Sequence, residues 1–297
     1  VKILFTGANG FLGRNVIPIL KEKSFQVKTC GTHDADYVFD ISEKVLQINE
    51  KFDIIFHAAG KAHCIPKTND EEKQFYNVNF EGTKNLCRSL ENNTPQIFIF
   101  VSTVAVYGDD FGEDISEDFP LEGCTPYAKS KIMAEKFLEE WCENYNVKLF
   151  IFRAPLIVGP NPPGNLGDMM KAIKKGTYFN IGGGKAKKSL LWVEDFAELT
   201  YRSITHSGGV YNVCDDFSPN FKEIAEKISS LLRKKAPKNI PFIIAKLMAL
   251  GGDLLGNKAP INSHKLNKII KDLTFSNTKI KREMDFSPTN VMEKFQI

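Results

Sequence analysis

Three features of this 297-residue chain predict an α/β fold, a doubly wound parallel sheet with a smaller, mostly helical C-terminal lobe. Strand-like and helix-like stretches alternate through the first half, as strands joined by crossover helices require. Val1-Lys2-Ile3-Leu4-Phe5 is a short apolar and β-branched run of the kind buried on both faces of a parallel sheet. The turn Thr6-Gly7-Ala8-Asn9-Gly10-Phe11-Leu12-Gly13 follows it at once and opens a helix. A strand, a tight glycine turn and a helix N-terminus offer unpaired N–H groups to a pyrophosphate, which makes the sheet Rossmann-type.

Phe11 to Leu20 continues at helical spacing after the turn. Gln26 to Cys30, Tyr37 to Phe39, Ile54 to Phe56, Ile97 to Val101 and Leu149 to Phe152 read as further strands. Helical stretches lie between them, including Asp70 to Glu91 and Tyr127 to Asn144. The rhythm breaks at Gly159-Pro160-Asn161-Pro162-Pro163-Gly164, which cannot be regular structure. A helix-like unit, Val193 to Ile204, and a short strand, Val210 to Val213, then return to the sheet. Residues 1–158 with 191–213 are thus expected to form a dinucleotide-binding domain. Residues 159–190 with 214–297 are expected to form a substrate-binding lobe across a cleft.

Composition narrows the class. With 42% hydrophobic and 25% charged residues the chain reads as soluble and globular. A net charge of +3 and a pI near 8.4 are too mild to argue for nucleic acid. Lysines thicken at 185–188, 234–235 and 265–271, which reads as a solvated face first and as a site for an anionic substrate second. Six cysteines are scattered with no Cys-x-x-Cys pair and no histidine cluster, against a metal site or a disulfide scaffold. No signal peptide precedes the first strand, so a cytoplasmic location is expected. Ile240 to Leu255 is the most apolar late stretch, but it carries Lys246 and Asp253 and falls short of the ~20 residues of a membrane span. It reads as a packing helix of the lobe.

The chemistry-bearing residues begin with Tyr127 and Lys131, four apart at the start of a helical stretch and so on one face. A tyrosine is a poor base at neutral pH unless a neighbouring ammonium favours its phenolate. Such a pair forms a general acid/base for a hydroxyl proton; two exposed helix residues are the bland alternative. Thr103, in Val101-Ser102-Thr103, stands at a strand's carboxyl end, where its hydroxyl meets either a reacting oxygen or a loop backbone. His57-Ala58-Ala59-Gly60 ends another strand with small residues that let a dinucleotide approach closely, His57 itself reading as a strand-end residue bonded to backbone.

These motifs, in this order, resemble the extended short-chain dehydrogenase/reductases of the nucleotide-sugar epimerase/dehydratase family. The resemblance is carried by Gly7, Gly10 and Gly13, by His57-Ala58-Ala59, and by Asn77-Val78-Asn79-Phe80-Glu81-Gly82-Thr83. It continues through Ser102-Thr103, Tyr107-Gly108, Pro126-Tyr127-Ala128-Lys129-Ser130-Lys131, Arg153-Ala154-Pro155 and Trp192-Val193-Glu194-Asp195.

The resemblance implies that Thr103, Tyr127 and Lys131 are catalytic, with Lys131 also holding the nicotinamide ribose. It implies cofactor contacts from Gly7, Asn9, Gly10, Phe11, Leu12 and Gly13, and from Thr32, His57, Ala58, Ala59 and Val101. Asp40 and Ile41 would border the adenine and Pro155 the nicotinamide. Thr103 and Tyr127 would also meet the sugar. Asn165, Leu166 and Lys188 would grip a nucleotide-sugar diphosphate, though a lysine lacks the bidentate fork of the usual arginine.

Two departures matter. Dehydratases of the family carry Thr-Asp-Glu where this chain has Thr103-Val104-Ala105, which argues against dehydration. Gly31 stands where an aspartate usually holds the adenosine ribose, so the usual marker of NAD is missing and NADP stays open; NAD is still expected, because Asp34 could reach in and no arginine stands ready for a 2′-phosphate. The resemblance therefore implies a 4-epimerase of a UDP-hexose or UDP-N-acetylhexosamine first, and an NAD(P)H-dependent 4-ketoreductase second. A non-catalytic dinucleotide binder comes third. A homodimer through the helices near Asn77 and Tyr127 is also implied, with Phe75, Phe80, Met133, Phe137 and Trp141 as apolar candidates; the alternative is that these residues face the sheet.

Overall fold

The computed structural model describes residues 1–62, 64, 66–253 and 262–296. In chain order the strands begin β1 (Lys2–Thr6), β2 (Gln26–Gly31), β3 (Tyr37–Val38), β4 (Ile54–His57), β5 (Ile97–Thr103), β6 (Gly112–Ile115) and β7 (Lys148–Ala154). They continue with β8 (Leu156–Val158), β9 (Asn180–Ile181), β10 (Leu190–Trp192), β11 (Gly209–Asn212), β12 (Asn239–Ile240) and β13 (Leu273–Phe275). The helices are α1 (Phe11–Glu22), α2 (Asn69–Tyr76), α3 (Gly82–Leu90), α4 (Pro126–Asn144), α5 (Gly164–Lys175) and α6 (Asp195–Ser203). After them come α7 (Phe221–Leu231), α8 (Phe242–Asp253), α9 (Ser263–Ile270), α10 (Thr278–Met284) and α11 (Val291–Lys294).

Seven strands form one parallel sheet in the order β3-β2-β1-β4-β5-β7-β11. The order reverses between β1 and β4, which opens a crevice beyond their carboxyl ends. The two-residue side-chain period divides the core. Ile3, Phe5, Phe56, Ile99 and Phe152 pack with α1 and α6 on one face. Leu4, Ile55, Phe98, Phe100 and Ile151 pack with α3 and α4 on the other. Expected strands and observed strands coincide to within two residues at their ends. The extension of β5 through Thr103 is the consequential one, because it places Ser102 and Thr103 in register with Arg153 and Ala154.

The helical stretch expected over Asp70 to Glu91 is divided: α2 and α3 are joined by a π-helical turn, Asn77–Glu81, with Asn79 buried. Short parallel ribbons (β8 with β10, β9 with β12, β6 with β13) tie the later segments together. A separate core there joins Leu166, Met169 and Ile173 of α5 to Ile224 and Ile228 of α7. Ile280 and Met284 of α10 rejoin the core of the sheet.

The late apolar stretch does form a helix, α8, but it does not pack by its large residues. Ala245, Ala249 and Gly252 are the buried positions, and Phe242, Ile243, Ile244, Leu247, Met248 and Leu250 face outward. Leu254 and Leu255 of that stretch lie outside the described residues. Of the apolar candidates for a dimer surface, Phe75 and Trp141 are buried within the chain, Phe80 and Phe137 meet edge to face, and Met133 is exposed.

Candidate active site

The glycine turn owes its shape to close backbone approaches. Gly7 adopts φ +74°, and a Cβ there would lie 2.7 Å from the amide nitrogen of Ala59. A Cβ on Gly13 would lie 2.1 Å from the Ala8 carbonyl oxygen. No side chain caps the start of α1 at Gly10, so the first-turn N–H groups of Phe11, Leu12 and Gly13 stay open to an anion. Asn9 stands beside them with its Oδ1 buried and, among the described residues, without a hydrogen-bond partner. A cradle too tight for side chains and an orphaned buried acceptor fit a dinucleotide, whose ribose supplies hydroxyl donors.

His57, at the end of β4, is fully buried. Its Nδ1 lies 2.7 Å from Thr6 Oγ1 and its Nε2 2.9 Å from Thr83 Oγ1. Thr83 donates its only hydroxyl proton to the Asn79 carbonyl at 2.7 Å, so it accepts from Nε2–H. Nδ1 then accepts from Thr6, whose oxygen in turn accepts from the Ala59 N–H at 3.2 Å. Burial pushes His57 down to about 3, with the Lys131 charge adding to the shift, so the ring is neutral. Its side chain therefore locks Ala58-Ala59 against Gly7, and cofactor contact at this strand end falls to backbone and methyl groups.

The helix α4 starts at a well-formed cap: Thr125 Oγ1 accepts from the Ala128 N–H at 3.1 Å and Pro126 takes the first position. That start positions Tyr127, half-buried against Phe75, and Lys131 one turn later. The structure brings the side chains of Thr103 and Tyr127 close to one another. Thr103 Oγ1 accepts from the Ala105 N–H at 3.2 Å, the loop-backbone reading of this hydroxyl. The Lys131 ammonium donates to the Val101 carbonyl at 2.8 Å and lies 4.3 Å from the Phe100 ring centroid. Burial lowers Lys131 to about 8, partly offset by Glu135.

The expected lowering of the Tyr127 phenol is reversed here. Burial raises it above its ordinary value, and the nearby Thr103 hydroxyl opposes that shift without overcoming it. Lys131 directs its ammonium at the β5 backbone instead.

A buried network missed from the sequence supports this arrangement. Arg153 on β7 donates from Nη2 to Glu135 Oε2 at 2.7 Å and from Nη1 to Tyr107 Oη at 3.1 Å. Ser102 donates to the other Glu135 oxygen, and Tyr107 donates to Asn212 Oδ1 at 2.7 Å. Glu135 is four residues beyond Lys131, hence on the same helix face. A carboxylate continuing the Tyr127–Lys131 stripe was the available signal. Asn79, in the π-helical turn, accepts from the Lys61 N–H at 2.7 Å and donates to Ser130 Oγ at 3.0 Å, which fixes α4 beside Gly60.

The remaining residues are placed as follows. Asp40 Oδ1 accepts from the Ser42 N–H at 2.9 Å and its hydroxyl at 2.7 Å, while Ile41 is buried against Gly82. Thr32 is exposed, and Pro155 is half-buried between β7 and β8. Asn165 is exposed and Leu166 buried in the first turn of α5, an end that no side chain caps. Any anion there would meet backbone N–H groups. Lys188 is engaged elsewhere: its ammonium donates to the carbonyls of Lys268 at 3.2 Å and Lys271 at 3.0 Å, at the C-terminal end of α9.

Comparison with known proteins agrees with this geometry. Residues 3–214 match the model of the NAD dependent epimerase/dehydratase family. The chain is 27% identical over 297 residues to the N-acetyl-alpha-D-glucosaminyl-diphospho-ditrans,octacis-undecaprenol 4-epimerase of Escherichia coli O157:H7, covering 94% of this chain and 88% of that one. In three dimensions it resembles the UDP-glucose 4-epimerase of Thermotoga maritima solved with UDP-glucose, with a TM-score of 0.79, 18% identity, and 99% and 96% of the two chains covered. It also resembles the UDP-glucuronic acid 4-epimerase of Bacillus cereus solved with NAD, with a TM-score of 0.75, 19% identity, and 98% and 95% covered.

Proposed function

The chain belongs to the NAD dependent epimerase/dehydratase family, and from that premise we propose that it inverts carbon 4 of a diphosphate-linked hexose or N-acetylhexosamine, a UDP sugar in the first instance. The observation that carries this reading is the meeting of Thr103, at the end of β5, with Tyr127 and Lys131, one turn apart at the start of α4, the side chains of Val104 and Ala105 following Thr103. A valine and an alanine do no acid/base work, which leaves oxidation and reduction at one carbon without elimination of water.

NAD, when bound, would accept the carbon-4 hydrogen with its electron pair and return it. The turn from Gly7 to Gly13 would hold its pyrophosphate, Asn9 a ribose hydroxyl, and Lys131 the nicotinamide ribose. Tyr127 would take the proton from the carbon-4 hydroxyl and give it back to the same oxygen when the hydrogen returns to the opposite face of carbon 4. Thr103 would hold the sugar oxygen beside Tyr127. The open N–H groups at Asn165 and Leu166 would receive the substrate diphosphate. The substrates named for the Escherichia coli and Thermotoga relatives differ beyond the diphosphate, so the sugar–diphosphate portion is the part assigned.

A second reading, a 4-keto sugar reductase, is favoured by one observation: Gly31 stands where an aspartate usually grips the adenosine ribose, and a cofactor that must exchange need not be gripped. Incubation with UDP-N-acetylglucosamine and UDP-glucose, followed by proton NMR of the sugar, separates the two. The epimerase reading expects the 4-epimer to appear with no net change in NADH absorbance. Consumption of NADH only with a 4-keto sugar, and no epimer from either UDP sugar, would replace it by the reductase.

A further inference from the structure

The helix α8 is built inside out for a soluble lobe. Its buried stripe is Ala245, Ala249 and Gly252, at the i, i+4, i+7 spacing of one face, and α9 packs along it. The large side chains Phe242, Ile243, Ile244, Leu247, Met248 and Leu250 point away from the protein, with Ile243 73% and Leu247 65% exposed. A contiguous apolar face of this kind on a helix marks a surface with an occupant.

We infer that α8 lies on an anionic lipid bilayer and docks the protein there as a peripheral enzyme. Charge selects this occupant. Residues 233–271 contain nine lysines and arginines against one acidic residue, Asp253, in a chain whose total is only +3. The remainder of the molecule is therefore net acidic. Arg233, Lys234, Lys235 and Lys238 are exposed immediately before the helix, and Lys246 is exposed within it. An apolar helix face flanked by exposed cations is the pattern that inserts among acyl chains while its lysines reach phosphate headgroups. A second copy of the chain fits poorly, because a symmetric contact would bring these cations against their own equivalents. Lysine is also depleted from protein interfaces.

Length fixes the mode. At about 1.5 Å per residue the helix is about 18 Å long, against a hydrocarbon core of about 30 Å, so it lies in the interface plane. No described helix is long and apolar enough to cross. The helix is also anchored firmly. The strand β12 just before it pairs with β9, and Asn239 Oδ1 accepts from the Gly183 N–H at 2.6 Å. The docking face is therefore fixed to the lobe that carries Lys188. This inference is independent of the reaction assigned above, since it concerns where the enzyme sits.

Co-sedimentation of the purified protein with phosphatidylcholine vesicles, with and without phosphatidylglycerol, tests it. The expected result is binding that requires phosphatidylglycerol and weakens with salt, with a partition about tenfold lower for Leu247→Glu. Leu247 is largely exposed, so an unchanged melting temperature for this variant confirms that the fold is intact. In a second variant, Leu247→Trp, emission should shift to the blue on phosphatidylglycerol vesicles, because Trp141 and Trp192 are buried and give a constant background. Absent binding, or binding indifferent to phosphatidylglycerol, overturns the inference. So does a wild-type dimer that ignores vesicles and dissociates in Leu247→Glu, which would make the face a contact between copies.

Discussion

The side-chain oxygen of Asn9 occupies the space into which a side chain on Gly31 would grow: a Cβ at Gly31 would lie 2.3 Å from Asn9 Oδ1. Gly31 is the position whose expected acid is missing, and Asn9 carries a buried acceptor with no partner among the described residues. The two facts are complementary. The acceptor that a carboxylate on β2 would supply to a ribose hydroxyl would then come from the glycine turn.

It follows that Asn9→Ala should weaken NAD binding about threefold to tenfold, the loss of one hydrogen bond. Gly31→Ala should weaken it similarly with little loss of melting temperature, because the flexible Asn9 side chain can move aside. Gly13→Ala should behave differently, since its Cβ would meet the rigid Ala8 carbonyl at 2.1 Å; overpacking of that kind costs about 1–3 kcal/mol. Calorimetric titration of NAD beside thermal unfolding checks all three. Equal thermal losses for Gly31→Ala and Gly13→Ala would contradict the assignment.

Tyr127→Phe should lower turnover by about a hundredfold to ten-thousandfold, the usual contribution of a positioned acid/base. The ring still packs against Phe75, so NAD affinity and stability should stay near those of the parent. Steady-state assays with a UDP sugar and NAD titration measure the two separately. Turnover within a few-fold of wild type would remove Tyr127 from the chemistry.

The sheet was legible because β1, β4, β5 and β7 are runs of large apolar residues, and such runs have few other places to go. The gathering of Thr103, Tyr127 and Lys131 at the end of β5 and the start of α4, the proposed trio, was legible from motif order. The Glu135–Arg153 pair was not, because its partners come from different elements and meet only when α4 packs on β7. The surroundings of Tyr127 also escaped sequence reasoning: spacing puts Lys131 on the same face but does not say where its ammonium points. Which face of α8 packs was hidden for a related reason. Apolar composition reads as a packing helix, which α8 is against α9, but its buried stripe consists of alanine and glycine, and the large residues lie outside.

His57 should make stability depend on pH in a calculable direction. Its folded value, about 3, is below the ordinary 6.5, so the unfolded chain binds a proton that the folded chain refuses. The contribution is complete above 6.5 and is lost progressively as pH falls toward 3. The urea midpoint of wild type minus that of His57→Asn should therefore shrink from about pH 7 to about pH 4. Other titrating groups cancel in this difference. A difference that stays constant across the window would show that the ring is not held neutral by burial.

The Glu135–Arg153 pair should obey the asymmetry of buried charges. The two side chains are 2% and 5% exposed. Each charge is tolerable only because the other is there, and each also serves neighbours, Ser102 for Glu135 and Tyr107 for Arg153. Glu135→Ala would leave a guanidinium in the interior facing no carboxylate, which costs about 3–5 kcal/mol. Arg153→Met would strand the carboxylate at a comparable cost. The double variant Glu135→Leu/Arg153→Met removes both charges and replaces them with apolar volume, so it should unfold later than either single variant. A second readout follows from Lys131. Glu135 raises it against the effect of burial, so Glu135→Gln should push it below about 8 and move the alkaline limb of the activity profile to lower pH. Chemical denaturation of the four proteins tests the first expectation, and pH-dependent turnover of Glu135→Gln tests the second. Additive single and double losses, with an unmoved alkaline limb, would mean that the network only fills space and does not hold the charge on Lys131.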